Sequence, residues 1–219
     1  MQQIEILSHG VIKLNSYTPL CFNKIGEEAI KKYSYPPFID SSCRREPDFQ
    51  NENPSISALC RASKFAPFLR EKDIIVYMTK KGKYSENLPP HNRLVAILQV
   101  EEVYPSHEMG KIAYNILGLP TPSNCMVYDN PSYNIDQTAA KSTKSLLAWN
   151  NQYFGRAKKH PSFIRTKKLY LNLIDPKPIF ESDLIDIFSK IPGTQNPKKI
   201  SKDSFIRLAQ IAEIEVVFL

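Results

Sequence analysis

Six cations crowd residues 156–168, at Arg156, Lys158, Lys159, Arg165, Lys167 and Lys168, with no acid among them and with Tyr153, Phe154, His160 and Phe163 beside or between them. Cations that reach phosphates next to rings on which unpaired bases stack are the equipment of single-strand nucleic-acid binding. The same pattern describes a solvated loop whose rings anchor it to a core. Lys80, Lys81 and Lys83 form a second basic group, suited to phosphate contact or to guarding a sheet edge against pairing. The third is Arg44-Arg45, inside the run Cys43-Arg44-Arg45-Glu46-Pro47-Asp48-Phe49. Two planar forks in an irregular segment fit phosphate or carboxylate, unless Glu46 and Asp48 merely neutralise them. With 29 Lys and Arg against 22 Asp and Glu the formal charge is +7, a balance that favours an anionic partner, DNA or RNA.

Catalytic patterns are weaker. His9, His91, His107 and His160 stand alone, with no H-E-x-x-H. Glu101-Glu102, or Glu213 with Glu215, supply paired acids of the kind that hold magnesium in a nuclease, or are solvated charges at strand ends. Cys60, next to Arg61, is the thiol best placed for activation. The four cysteines, at 21, 43, 60 and 125, lack metal-site spacing, and neither a metal nor a cofactor is expected. No G-x-G-x-x-G or G-x-x-x-x-G-K-[ST] occurs, and 17 Pro against 7 Gly leaves little material for glycine phosphate cradles. The prolines gather at 36–54, 89–90, 120–131 and 161, where they would stiffen binding loops.

These residues must be carried by a chain of 219 residues, which reads as one domain over 1–219. A helix is expected around Lys24–Lys32. Residues 34–54 form a long irregular loop, functional or disordered. Strands are read at Asp73–Thr79 and Arg93–Tyr104, the second buried on both faces at first and on one face later. Lys80 to Asn92 joins them as a hairpin with a long basic tip. A helix over 107–117 is closed by Gly118. Another is read over 136–150, capped by Asp136 and ending near the only Trp, Trp149. The basic segment 151–168 follows, then a strand over 168–174. Residues 181–219 add two helices, over 181–190 and 201–212, with a last edge strand at 216–219. The fold class is α+β, a partly open β-barrel decorated by helices, with antiparallel rather than alternating βα connections. The amino terminus lacks a secretory pattern and no apolar run is long enough for a membrane span, so a cytoplasmic protein with reduced thiols and no membrane partner is expected.

The run PSISALCRASKFAPFLREKDIIVYMTKKGKY, followed by RLVAILQVEEVYPSHE, resembles the PUA-like superfamily of EVE, ASCH and YTH domains. In those folds a charged residue plus Asp precedes a hydrophobic strand and a basic turn, and a second strand ends in an acidic, valine-rich stretch. Lys72 to Tyr77 and Ala96 to Val103 play these parts. More narrowly, the chain is similar to phage and bacterial nucleotide modification associated domains. The resemblance implies a pseudo-barrel that binds nucleic acid, often extruding one base into a pocket of aromatic and polar side chains. Carried onto this sequence, the pocket candidates are Phe49, Tyr77, Thr79 and Arg44, with Trp149 as a stacking wall. A YTH-type cage of several tryptophans does not fit a chain with one. Some ASCH-type relatives are small amidohydrolases using Thr, Lys and Glu. Thr79, Lys80 or Lys81, and Glu101 or Glu102 supply those types, from opposite strand faces. The leading reading is therefore a module that binds DNA or RNA, with a modified or flipped base as its target, in DNA modification or restriction. The enzymatic rival is a hydrolase or base-modifying enzyme acting on a modified nucleoside, and a protein-interaction role has no sequence signature.

Overall fold

The two hydrophobic runs read as strands lie side by side at the centre of the computed structural model, which describes residues 2–219. In chain order the elements are β1 (Gln2–Ile6), β2 (Ile12–Tyr17), α1 (Lys24–Tyr33), β3 (Ser55–Ser57), β4 (Ile74–Thr79), β5 (Asn92–Tyr104), α2 (His107–Ile116), α3 (Thr143–Lys159), β6 (Phe163–Leu171), β7 (Pro178–Ile179), α4 (Glu181–Phe188), β8 (Lys198–Lys199), α5 (Lys202–Ile211) and β9 (Ile214–Phe218). The main sheet runs β3-β6-β5-β4-β2-β8, with β7 paired to the start of β5, while β1 and β9 form a separate parallel pair. This is an α+β fold with a partly open, curled sheet decorated by helices. Register shifts interrupt β4–β5 at Tyr77/Met78 and β5–β6 at Ile97/Leu98 and Val100/Glu102. Such bulges bend strands and tighten twist.

Period-two alternation explains the layers. Ile74, Val76 and Met78 of β4 enter one core with Ile12, Leu14, Leu94, Phe205 and Leu208, beneath α4, α5 and the β1–β9 pair. Ile75 and Tyr77 enter another core with Tyr17, Phe38, Phe49, Phe65 and Leu98. β4 is therefore buried throughout, and β5 emerges only towards its end.

Several boundaries differ from the sequence reading. The antiparallel expectation fails at β2, which runs parallel to β4. The helix read from Asp136 begins at Thr143, because Ser142 and Ser145 cap it reciprocally, while the Asp136 carboxylate accepts from Lys32 Nζ at 2.7 Å and from the Tyr33 hydroxyl. Trp149 is thus inside α3 rather than at its end. β6 starts at Phe163, not at Lys168, so the basic segment is no single loop. Arg156, Lys158 and Lys159 form the last turn of α3, where cations favour the helix dipole, and Arg165, Lys167 and Lys168 sit on β6. Residues 34–54 contain no helix or strand, yet 38–49 are all buried.

Candidate functional site

The carboxyl ends of the parallel strands β2 and β4, the buried segment 38–49 and one face of α3 enclose a cavity of about 220 Å³. Ligands commonly sit beyond the carboxyl ends of parallel strands, where the chain must leave the sheet. Asn15, Ser16, Tyr17 and Thr18 supply one wall and Tyr77 and Lys80 the next; Asp40, Ser42 and Glu46 lie opposite, with Trp149 and Tyr153 of α3 closing the side. Asn15 and Tyr77 are register partners. The Lys80 amide donates to Tyr17 O at 2.9 Å, holding the first residue beyond β4 against the end of β2. Arg61 spans the rim, donating to Ser16 O and, at 3.0 Å, to Gln195 O.

A buried irregular segment needs partners for every backbone group that a sheet would have satisfied. Asp40 provides two of them through one oxygen. Its Oδ1 accepts from the Ser42 amide at 2.9 Å, the Ser42 hydroxyl at 2.5 Å and the Glu46 amide at 3.1 Å. Arg45, at φ 46° in the left-handed region, donates to the carbonyls of Asp40 (2.9 Å), Ser42 (3.0 Å) and Gln137. Its guanidinium also lies 4.6 Å from the Tyr133 ring centroid and 5.4 Å from that of Tyr35. Arg44 donates from Nε to Asn150 Oδ1 at 2.9 Å, which ties the segment to α3, and from Nη1 to Asn130 O at 2.6 Å.

Glu46 accepts from the Ser57 amide (3.0 Å), the Ser57 hydroxyl (2.6 Å) and Asn124 Nδ2 (2.8 Å). Burial nonetheless pushes its carboxyl up to about 8, outweighing these donors. Desolvation also raises Asp40 and holds Tyr17 and Tyr77 as neutral phenols. Among the described residues four buried side-chain polar atoms have no partner, Arg45 Nε and His107 Nε2 away from the cavity lining and two on residues that line it. Asn15 Oδ1 and Tyr77 Oη are buried without a hydrogen bond, on residues only 6% and 1% exposed. Burial raises the Tyr77 phenol, and Asn15, within side-chain hydrogen-bond reach of it, acts the other way, although neither Asn15 Oδ1 nor Tyr77 Oη makes a bond of good geometry. Unpaired buried acceptors and hydroxyls cost ~1–3 kcal/mol each.

Tyr77, Trp149 and Lys80 meet at this cavity. The other candidates are placed elsewhere. Phe49 stands behind the wall, edge-on to Tyr17 and Tyr77 with centroids at 5.3 and 5.2 Å. Thr79 is fully buried; its hydroxyl accepts from the Arg93 amide at 2.9 Å. Arg44 and Arg45 are each 1% exposed and committed to internal acceptors, so no fork faces an external phosphate. Lys81 pairs with Glu181 at 2.7 Å, and Lys83 is exposed on the hairpin tip. Arg156 donates to Leu59 O, and Arg165 to Glu101 and, at 3.3 Å, to Glu102. Lys158, Lys159, Lys167 and Lys168 are exposed.

The Thr79, Lys80, Lys81, Glu101 and Glu102 set is not brought together. Thr79 sits against Arg93, eight residues along β5 from Glu101, which is roughly 25 Å at ~3.3 Å per residue. Glu213 is likewise paired, with Lys177 at 2.8 Å. Among the described residues no cluster of three or more metal-binding side chains forms. Cys60 lines the cavity as an exposed residue; desolvation and the nearby carboxyls of Asp40 and Glu46 act to raise its thiol, and none of these activates it. The sequence reading missed Asn15, Asp40, Ser57 and Arg61, which belong to no motif. The one local signature is Asp40-Ser41-Ser42, an Asx turn.

No family model matches the chain, and no curated protein does. Among solved structures, an ASCH protein from Zymomonas mobilis matches with a TM-score of 0.41 at 9% identity, over 94% of this chain and 97% of that one. A serine-to-alanine variant of that protein matches with a TM-score of 0.39 at 10% identity, over 92% and 96%. Similarity at this level assigns neither a family nor an activity.

Proposed function

We propose that the protein binds DNA or RNA and holds one extruded, modified base in the cavity between β2, β4, the 38–49 segment and α3. The carrying observation is the pair of buried, unpartnered atoms, Asn15 Oδ1 and Tyr77 Oη, on residues of a cavity that also has aromatic walls. A base pocket needs both a ring surface for stacking and polar groups that read a hydrogen-bonding edge. The volume of about 220 Å³ lies below the ~300–1,000 Å³ of drug-sized sites and suits one heterocycle. Lys80 and Arg61 at the cavity put positive charge where a sugar-phosphate backbone would pass. The narrower setting, a cytoplasmic DNA-modification or restriction system, belongs to this reading and rests on the sequence resemblance.

The test is binding of single- and double-stranded DNA and RNA, with and without modified bases, titrated at several salt concentrations. Affinity that falls with salt, and falls further in Trp149→Ala and Tyr77→Phe, is expected. Absence of affinity and of a salt slope would end the proposal. A second reading, hydrolysis of a modified nucleoside, is favoured by one observation: Thr18, Lys80 and Glu46 line the same cavity. It requires turnover that is lost in Lys80→Ala, with folding intact.

A further inference from the structure

A second cavity, of about 240 Å³, opens on the other side of α3, lined by His107, Glu108, Met126, Phe154, Lys158 and neighbours. Its distinguishing group is His107. The Met126 amide donates to His107 Nδ1 at 3.0 Å, so Nδ1 is the unprotonated nitrogen and Nε2 carries the hydrogen. Burial lowers the ring to about 4, which keeps that neutral tautomer at physiological pH. Nε2 is buried with no acceptor, on a residue 3% exposed. A buried N–H donor without a partner is rarer than an unpaired carbonyl, and the residue that carries it lines the cavity.

Phe154 gives the cavity its ring surface. It is 45% exposed, and the buried Arg44 guanidinium lies 5.7 Å from its centroid, so protein backs the ring on one side while solvent reaches the other. Lys158, one helical turn on, is exposed. Glu108 opposes Lys158 on the rim, so the lining is close to neutral and the occupant is an uncharged ring rather than a bare anion.

We propose that this cavity is a second nucleobase subsite, in which a base stacks on Phe154 and offers a ring-nitrogen or carbonyl acceptor to His107 Nε2–H. The nature of the ligand rests on the nucleic-acid reading above; the residues that form the subsite are independent of it. α3 links the two sites. Trp149 and Tyr153 face the first cavity and Phe154 and Lys158 the second, and successive helical residues are turned by about 100°. A strand whose extruded base lies in the first cavity would cross α3 to place a neighbour in the second.

The test uses the isotope-labelled full chain and two probes, deoxyguanosine monophosphate and a guanine-centred trinucleotide, since guanine presents N7 and O6 acceptors. Trp149 reports the first cavity and the His107 imidazole N–H the second. Saturable shifts at His107 are expected, with affinity there weakened about tenfold in Phe154→Ala and restored in Phe154→Trp. Shifts at His107 with Trp149 silent would retain this subsite and remove the first-cavity reading. Silence at His107 with both probes, or unchanged affinity in Phe154→Ala, would overturn the proposal whatever Trp149 does.

Discussion

Above the face of β4 that carries Ile74, Val76 and Met78 lie α4, α5 and the β1–β9 pair, which contribute Leu184, Phe205, Leu208 and Ile214. Above the face that carries Ile75 and Tyr77 lies the irregular segment 38–49, which contributes Phe38 and Phe49 but also Asp40, Arg45 and Glu46, all buried. The first face is stabilised by apolar area removed from water, at ~25 cal/mol per Å², and tolerates other hydrophobic residues of similar volume. The second gains little net energy from its polar groups, because each hydrogen bond replaces one made to water. It depends instead on every group finding a partner. The difference separates a face that tolerates substitution from one that does not, and the proposed base pocket lies on the second.

That contrast can be broken most forcefully at Arg45. Arg45→Ala removes donors from three carbonyls and leaves Asp40 without its nearby cation. A loss of about 3–5 kcal/mol in urea unfolding is expected. Phe205→Ala on the apolar face should cost a similar amount, about 3–5 kcal/mol, but leave nucleic-acid affinity of the folded protein unchanged. If both variants lost affinity equally, the two faces would not be functionally distinct.

Glu46 sharpens the comparison through pH. Its folded pKa, about 8, lies above the ordinary carboxylate value of 4.5, so the folded state holds the proton more tightly than the unfolded chain. Its contribution is fully present below about 4.5 and is lost as pH rises towards 8. Urea unfolding at intervals between pH 4.5 and 9 should show a fall in stability that is flattened in Glu46→Gln. Equal slopes in the two proteins would mean that this carboxyl is ionised in the fold.

Tyr77→Phe tests the orphan itself. Removing a hydroxyl that has no partner should leave stability unchanged or raise it by up to ~1 kcal/mol, while affinity for the extruded base falls. The smallest effect is expected at Lys81, half exposed against Glu181. Lys81→Ala should change stability by no more than ~0.5 kcal/mol and the cavity not at all, as read by Trp149 fluorescence.

Legibility followed the origin of burial. β4 and β5 declared themselves because consecutive β-branched and aromatic residues have few other uses, and α2 because Gly118 closes it. β6 was half hidden, since Arg165 and Lys167 read as part of a basic loop although Phe163 and Ile164 before them and Thr166 between them are fully buried. The site was harder. Tyr77, Lys80 and Trp149 were legible as types, but nothing in the spacing of Asn15, Asp40 and Ser57 shows that β2 will lie parallel to β4 and bring them together. Arg44 and Arg45 were singled out for a chemistry they do perform, fork donation to oxygen, with the chain's own carbonyls and an asparagine amide oxygen in place of a phosphate. Sequence gives the donor; only packing chooses the acceptor.

The β1–β9 pair has a consequence in time rather than in space. Gln2–Ile6 pairs with Ile214–Phe218, so during synthesis the first strand emerges about 10–40 s before its partner at ~5–20 residues per second. For that interval Ile4 and Ile6, both buried in the finished molecule, belong to an unpaired edge of the kind that recruits other chains. Completion of the apolar face must therefore wait for β9 to emerge, whereas β2, β4 and β5 can pair as they appear.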